Sequence, residues 1–139
     1  MKSLTCCLLF CLPLKNLYIT SGFGNRIHPI TRHFTFHSGI DLRARHDTVF
    51  AIIAGRTTTG FDHRLGVFFK IENENLQIIY GHLSQALIAG SVQAGDAIGV
   101  TGSTGQVTGE HLHLSIKYKK QYVDPIAFLY ELTIKSKSP

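Results

Sequence analysis

His111-Leu112-His113-Leu114-Ser115-Ile116-Lys117-Tyr118 is the stretch that decides the fold. Polar and apolar residues alternate along it, and a period of two marks a strand with one buried and one open face. Leu112, Leu114 and Ile116 would face a core. His111 and His113 would then share the opposite face, roughly 6–7 Å apart along the backbone. Such a pair fits a plain surface strand. It also fits a site in which one imidazole binds an ion while its neighbour handles water or substrate. Both could bind one ion only if the strand bent sharply inward, so their roles are read as divided.

A second cluster, His37-Ser38-Gly39-Ile40-Asp41, lies about seventy residues upstream. On an extended strand, positions i and i+4 are about 13 Å apart, too far to share an ion bonded at about 2 Å. The Ser38-Gly39 step must therefore bend the chain, and glycine permits that. Taken alone, Asp41 reads equally well as a turn or capping carboxylate. The two clusters together point to one metal ion, because a catalytic Zn²⁺ takes three protein ligands of N or O type and keeps one position open. His82, in Tyr80-Gly81-His82-Leu83-Ser84, is expected just past a strand end, where catalytic groups tend to sit. Its plainer reading is a polar surface residue. His46-Asp47 and Asp62-His63 are adjacent pairs whose side chains diverge, and His28 and His33 lie in a loop beside Pro29, so all four histidines make poor ligands. The three cysteines fall within the first eleven residues. A thiolate metal site and a disulfide framework are both excluded from the body of the chain.

The remaining pattern is that of a β protein. Thirteen glycines punctuate short runs rich in Val, Ile, Phe, Tyr and Thr,. Val49–Ala54 reads as a central strand buried on both faces. Val67–Glu72 and Leu76–Tyr80 form a hairpin around Asn73-Glu74-Asn75. Ala97–Thr101 is a strand ending in the turn Gly102-Ser103-Thr104-Gly105. Asp124 caps a short helix from Pro125 to about Leu132, with proline at its first position. The class is all-β with a short C-terminal helix.

The length of 139 residues suits one domain,. A net charge of +5 and a pI near 9.3 suit an anionic partner or a solvated basic surface,. No arginine-rich helix or nucleic-acid module is present, so nucleic acid is set aside. The apolar segment Leu4 to Leu14 is too short to span a bilayer, which takes about 20 residues. It fits a short export signal or simply the first apolar piece of the domain. The chain divides into an N-terminal segment (1–16), a domain (17–132) and a basic tail (133–139).

The motifs also occur in a telling order. Ser21-Gly22-Phe23-Gly24-Asn25-Arg26-Ile27-His28-Pro29 is followed by His37-x-Gly39-x-Asp41 and Tyr80-Gly81-His82-Leu83-Ser84. Val92-Gln93-Ala94-Gly95-Asp96-Ala97-Ile98-Gly99, Gly102-Ser103-Thr104-Gly105, Thr108-Gly109-Glu110-His111-Leu112-His113 and Val123-Asp124-Pro125 come after. From about Tyr18 to Leu129 the chain resembles a lysostaphin-type, or LytM-type, zinc metallopeptidase domain, which cuts peptide bonds of bacterial peptidoglycan.

The resemblance implies a compact antiparallel β domain, barrel-sandwich-hybrid-like, with an open groove over the metal. By it, His37, Asp41 and His113 are the ligands of one Zn²⁺ per domain. His82 and His111 are the two active-site histidines that do not bind metal, and Arg26 and His28 are substrate contacts. The implied substrate is a peptidoglycan stem peptide or cross-bridge, met in the periplasm, outside the cell or at the wall, with no stable transmembrane anchor.

Four departures bear on groove shape and substrate preference and remove no ligand. Glu110 stands where a proline is common, and Leu114 where a phenylalanine is. Phe61–Gly66 is not a Gly-Tyr-Gly turn, and the segment before Val49 lacks a glycine. The rival readings are a non-catalytic wall-binding module that activates another hydrolase, a histidine phosphocarrier and a structural zinc domain. The complete set of five site residues disfavours the first, Asp41 the second and the lack of cysteine ligands the third.

Overall fold

The computed structural model describes residues 10–28 and 31–137. Most of the apolar N-terminal segment, with Cys6 and Cys7, lies outside the described residues, as do Pro29, Ile30, Ser138 and Pro139. Twelve strands and one helix are described: β1 (Ile19–Ser21), β2 (Gly24–Ile27), β3 (Phe34–His37), β4 (Gly39–Arg43), β5 (Thr48–Phe50), β6 (Gly55–Asp62), β7 (Gly66–Asn73), β8 (Leu76–Ala86), β9 (Ser91–Val92), β10 (Ala97–Thr101), β11 (His111–Tyr118), β12 (Gln121–Val123) and α1 (Pro125–Lys137). Ten strands make one antiparallel sheet, and β2 and β3 pair separately. The expected all-β class with a C-terminal helix is what the chain adopts.

β11 lies in the middle of the large sheet, between β4 and β8. Its alternation sorts the molecule into two sides. Leu112 sits opposite Leu42, Leu114 opposite Ile40 and Tyr80, and Ile116 opposite Ile78. All of these are buried, and each large apolar side chain contributes about 1.5–3 kcal/mol by leaving water. Phe69, Ile71, Val49, Ile52 and Ile98 complete the same core. On the other face His113 sits opposite Asp41 and Gly81, and His111 opposite Arg43. One alternation therefore fills the core and presents the candidate site.

The hairpin expected around Asn73-Glu74-Asn75 forms, with Asn73 paired to Leu76 and Glu74 at φ 51°. Positive φ suits the tight turns that match strand twist. β10 and β11 keep the boundaries read from sequence, and Asp124 caps α1, its Oδ1 accepting from the Ile126 N–H at 2.9 Å. The helix runs five residues past its expected end, to Lys137.

Two expectations are corrected. Of the run Val49–Ala54 only Val49 and Phe50 enter a ladder, as part of β5, which pairs with β10. Ala51 to Ile53 are buried, yet their amides turn elsewhere: Ala51 N–H donates to the Asp96 carbonyl and Ile52 N–H to the buried Tyr80 hydroxyl, both at 2.9 Å. An apolar run reports burial and says little about its hydrogen-bond partner. His82 lies inside β8 rather than beyond its end. Leu14, from the N-terminal segment, packs into the core, and Phe50 N–H donates to the Pro13 carbonyl at 2.9 Å. Among the described residues no helix is long and apolar enough to cross a membrane.

Candidate metal centre

Asp41 is the point of convergence. Its Oδ1 lies 3.3 Å from His37 Nε2, 3.2 Å from His113 Nδ1 and 3.5 Å from His111 Nε2. Three elements deliver these groups. β4 and β11 place Asp41 directly opposite His113. His37 is the last residue of β3, so the bend expected at Ser38-Gly39 becomes a change of sheet. Gly39 is required there, because a Cβ would overlap the carbonyl of Leu114 on the neighbouring strand. Burial raises the Asp41 pKa, but hydrogen bonds from His113 and His37 outweigh it and hold the carboxyl well below the usual range,.

Each imidazole is fixed from behind. His37 Nδ1–H donates to the Gly22 carbonyl at 2.8 Å, so Nε2 faces Asp41. His113 Nε2 is bonded to the Ser115 hydroxyl at 2.7 Å, so Nδ1 faces Asp41. This is the outer-shell orientation that metal-binding histidines use. The nearest ligand atoms of His37, Asp41 and His113 lie within 4.8 Å of one another. An ion bonded tetrahedrally at about 2.0 Å keeps its ligands about 3.3 Å apart, close to the two spacings measured to Asp41. The donor set therefore fits a metal ion of the N- and O-preferring kind.

His82 and His111 close the other side. Their rings are 4.8 Å apart between centroids, and His82 is 5.8 Å from His113. His82 Nδ1–H donates to the Thr104 carbonyl at 2.8 Å and His111 Nδ1–H to the Gly109 carbonyl at 2.9 Å. Both Nε2 atoms are thus left as acceptors. His82 owes its place to a bulge: Val67 pairs with Leu83 and Phe69 with Tyr80, so Phe68 faces both Gly81 and His82,. His82 takes φ 61° there and its N–H donates to the Leu65 carbonyl at 2.6 Å. Burial pulls the His82 pKa down, against the Thr104 carbonyl, which raises it. The loop is braced in turn, with Thr104 Oγ1 donating to Leu83 and accepting from the Val67 N–H.

The structure thus gathers five of the seven residues singled out by sequence. Arg26 and His28 belong to the β2–β3 hairpin and its loop. Arg26, paired with Thr35, shares a face with His37 but donates to the Ser21 hydroxyl. His28 Nδ1 accepts from the Thr31 N–H at 3.2 Å. His33, His46 and His63 stand outside the cluster. Ser115 was missed by sequence reasoning, although it continues the alternation of His111 and His113 onto the same face. The carbonyls of Gly22, Thr104 and Gly109 carry no side-chain signal.

The chain belongs to peptidase family M23, whose sequence pattern matches residues 35–125. Over 120 residues it is 38% identical to the DD-carboxypeptidase/endopeptidase Mpg of Neisseria meningitidis serogroup B, a match covering 83% of this chain and 28% of that protein. The chain therefore spans under a third of that relative's length. A zinc containing peptidase from Vibrio cholerae superposes with TM-score 0.76 at 30% identity, covering 84% of this chain and 39% of the other. The catalytic domain of the antimicrobial peptidase lysostaphin from Staphylococcus simulans gives TM-score 0.73 at 29% identity, covering 83% of this chain and 93% of that domain.

Proposed function

We propose that this domain is a zinc-dependent endopeptidase that hydrolyses peptide cross-links of bacterial peptidoglycan, acting in the periplasm or at the cell wall. The observation that carries the reading is the convergence of His37 Nε2 and His113 Nδ1 on Asp41 Oδ1. In this reading those three residues hold the ion. The zinc content of the Vibrio peptidase and the activity named for Mpg support the metal and the class of bond.

When bound, zinc supplies a Lewis acid that polarises the scissile carbonyl and lowers the pKa of water to about 7. The chain's own residues do the rest. Asp41 is an anion throughout and offsets part of the ion's charge. His82 Nε2 and His111 Nε2 face the centre as acceptors and share two tasks: taking the proton of the attacking water, and, once protonated, hydrogen-bonding the oxygen that gains charge. The Thr104 and Gly109 carbonyls hold each ring in the tautomer this needs. Arg26 and His28, on the hairpin beside His37, are assigned to substrate contacts further along the groove.

Metal analysis and digestion of purified peptidoglycan test the division of roles. His113→Ala and Asp41→Ala should lose both zinc and activity. His82→Ala and His111→Ala should keep zinc and lose about 10²–10⁴-fold in rate. A folded His82→Ala protein without zinc would overturn the assignment, as would a zinc-loaded natural chain that leaves peptidoglycan intact.

A further inference from the structure

A cleft of about 740 Å³ is lined by Lys15, Tyr18, Arg43, Arg45, Asp47 and Glu110 among others, and Glu110 immediately precedes His111 in the chain. Its floor continues the catalytic face. Arg43 follows Asp41 by two positions on β4, with the core residue Leu42 between them, so Arg43 and Asp41 share one face of the strand,. Arg43 is also the register partner of His111. Its Cα therefore stands one two-residue strand step, roughly 7 Å, from that of Asp41.

The guanidinium is held ready. It stacks over the Tyr18 ring with Cζ 4.0 Å from the centroid, and the Arg43 N–H donates to the Tyr18 carbonyl at 2.8 Å. The Arg43 side chain is exposed beside the ring, so its guanidinium can still grip a carboxylate in a bidentate way. Among the described residues no ion pair forms to Arg43, Arg45 or Lys15. The two carboxylates of the cleft are already engaged: Glu110 accepts from the His46 N–H at 2.7 Å and Asp47 from the Arg45 N–H at 2.8 Å. Three cations thus line the cleft with two anions, a net positive charge that suits one more negative group.

We infer that the Arg43–Tyr18 cleft binds a free carboxylate on the substrate residue that flanks the scissile bond. The inference rests on the hydrolase reading above and deepens it, since it names what the substrate must carry next to the bond that is cut. Arg43 is a specificity residue in this scheme. It lies a residue's length from the reacting carbonyl and takes no part in proton transfer.

The probes are the pentapeptide L-Ala-D-Glu-L-Lys-D-Ala-D-Ala as free acid and as C-terminal amide, offered to the zinc-loaded chain. The natural protein should favour the acid by about tenfold or more in kcat/KM, the worth of one charge-assisted hydrogen bond. In Arg43→Met the acid-to-amide ratio should fall to near one, and Arg43→Lys should lie between. Equal use of the two peptides by the natural protein, or a ratio unchanged in Arg43→Met, overturns the carboxylate subsite while leaving the hydrolase reading intact. If neither peptide is cut, that reading fails for this substrate and the subsite is judged by ¹⁵N chemical-shift titration. Shifts at Tyr18 and Arg43 caused by the acid, and absent with the amide or in Arg43→Met, uphold it. Indistinguishable titrations overturn it. Unchanged thermal unfolding of both variants confirms that the comparison is made between folded proteins.

Discussion

His46 shows how single residues compensate one another around the site. It adopts φ 51°, and its N–H is held by the Glu110 carboxylate. A left-handed backbone costs an L-residue about 1–2 kcal/mol, and the segment before Val49 has no glycine to absorb it. Glu110 supplies the bond that fixes the strained amide. His46→Gly should change stability by less than about 1 kcal/mol and in the stabilising direction, since relief of strain exceeds the added chain entropy of roughly 0.5–1 kcal/mol. Glu110→Ala should cost about 1 kcal/mol. Chemical denaturation of both variants measures this, and a marked loss in His46→Gly would mean that the imidazole itself is structural. His82 carries the same kind of strain at φ 61°, and there it aims a catalytic candidate into the groove,.

At the scale of elements, the contact between β4 and β11 is the tightest constraint on the site. Gly39 lies so close to Leu114 that a single methyl group has no room. Gly39→Ala should lower stability by more than about 2 kcal/mol and also reduce metal affinity, because the strands carrying Asp41 and His113 must part. Thermal unfolding with and without zinc would check both effects, and full stability in this variant would show that the ladder tolerates opening. β11 could be read to the residue because one alternation sorts both its core face and its histidine face. β10 was legible from its short apolar run and the glycine turn after it. The bulge in β8 was hidden, because Gly81 looks like a strand terminator and the extra residue shows only against the partner strand. The five clustered residues were legible from spacing and order. Their orienting carbonyls were not, since a backbone oxygen has no letter of its own. The subsite beside Arg43 was equally silent, because only pairing reveals that Arg43 stands opposite His111.

For the whole molecule, the metal centre joins parts that the ladders leave separate. His37 comes from the two-stranded β2–β3 sheet, whereas Asp41 and His113 belong to the large sheet. A bound ion would tie one to the other. Zinc at about a hundred times its dissociation constant should add about 2.7 kcal/mol of stability and raise the melting temperature by several degrees. The gain in amide-exchange protection should be largest in Gly24–Ile27 and Phe34–His37. A chelator should reverse both changes. Protection spread evenly over all strands would argue that the hairpin is anchored by its own packing.

The central strand leaves this protein a narrow margin for insertion or deletion. Because His111, His113 and Ser115 face the candidate site while Leu112, Leu114 and Ile116 fill the interior, adding or losing one residue would drive imidazoles inward and leucines into solvent. Such a change would scatter the candidate site and expose a sticky sheet in a single event. Indels in this gene should therefore accumulate in the joining loops and spare the span from His111 to Tyr118.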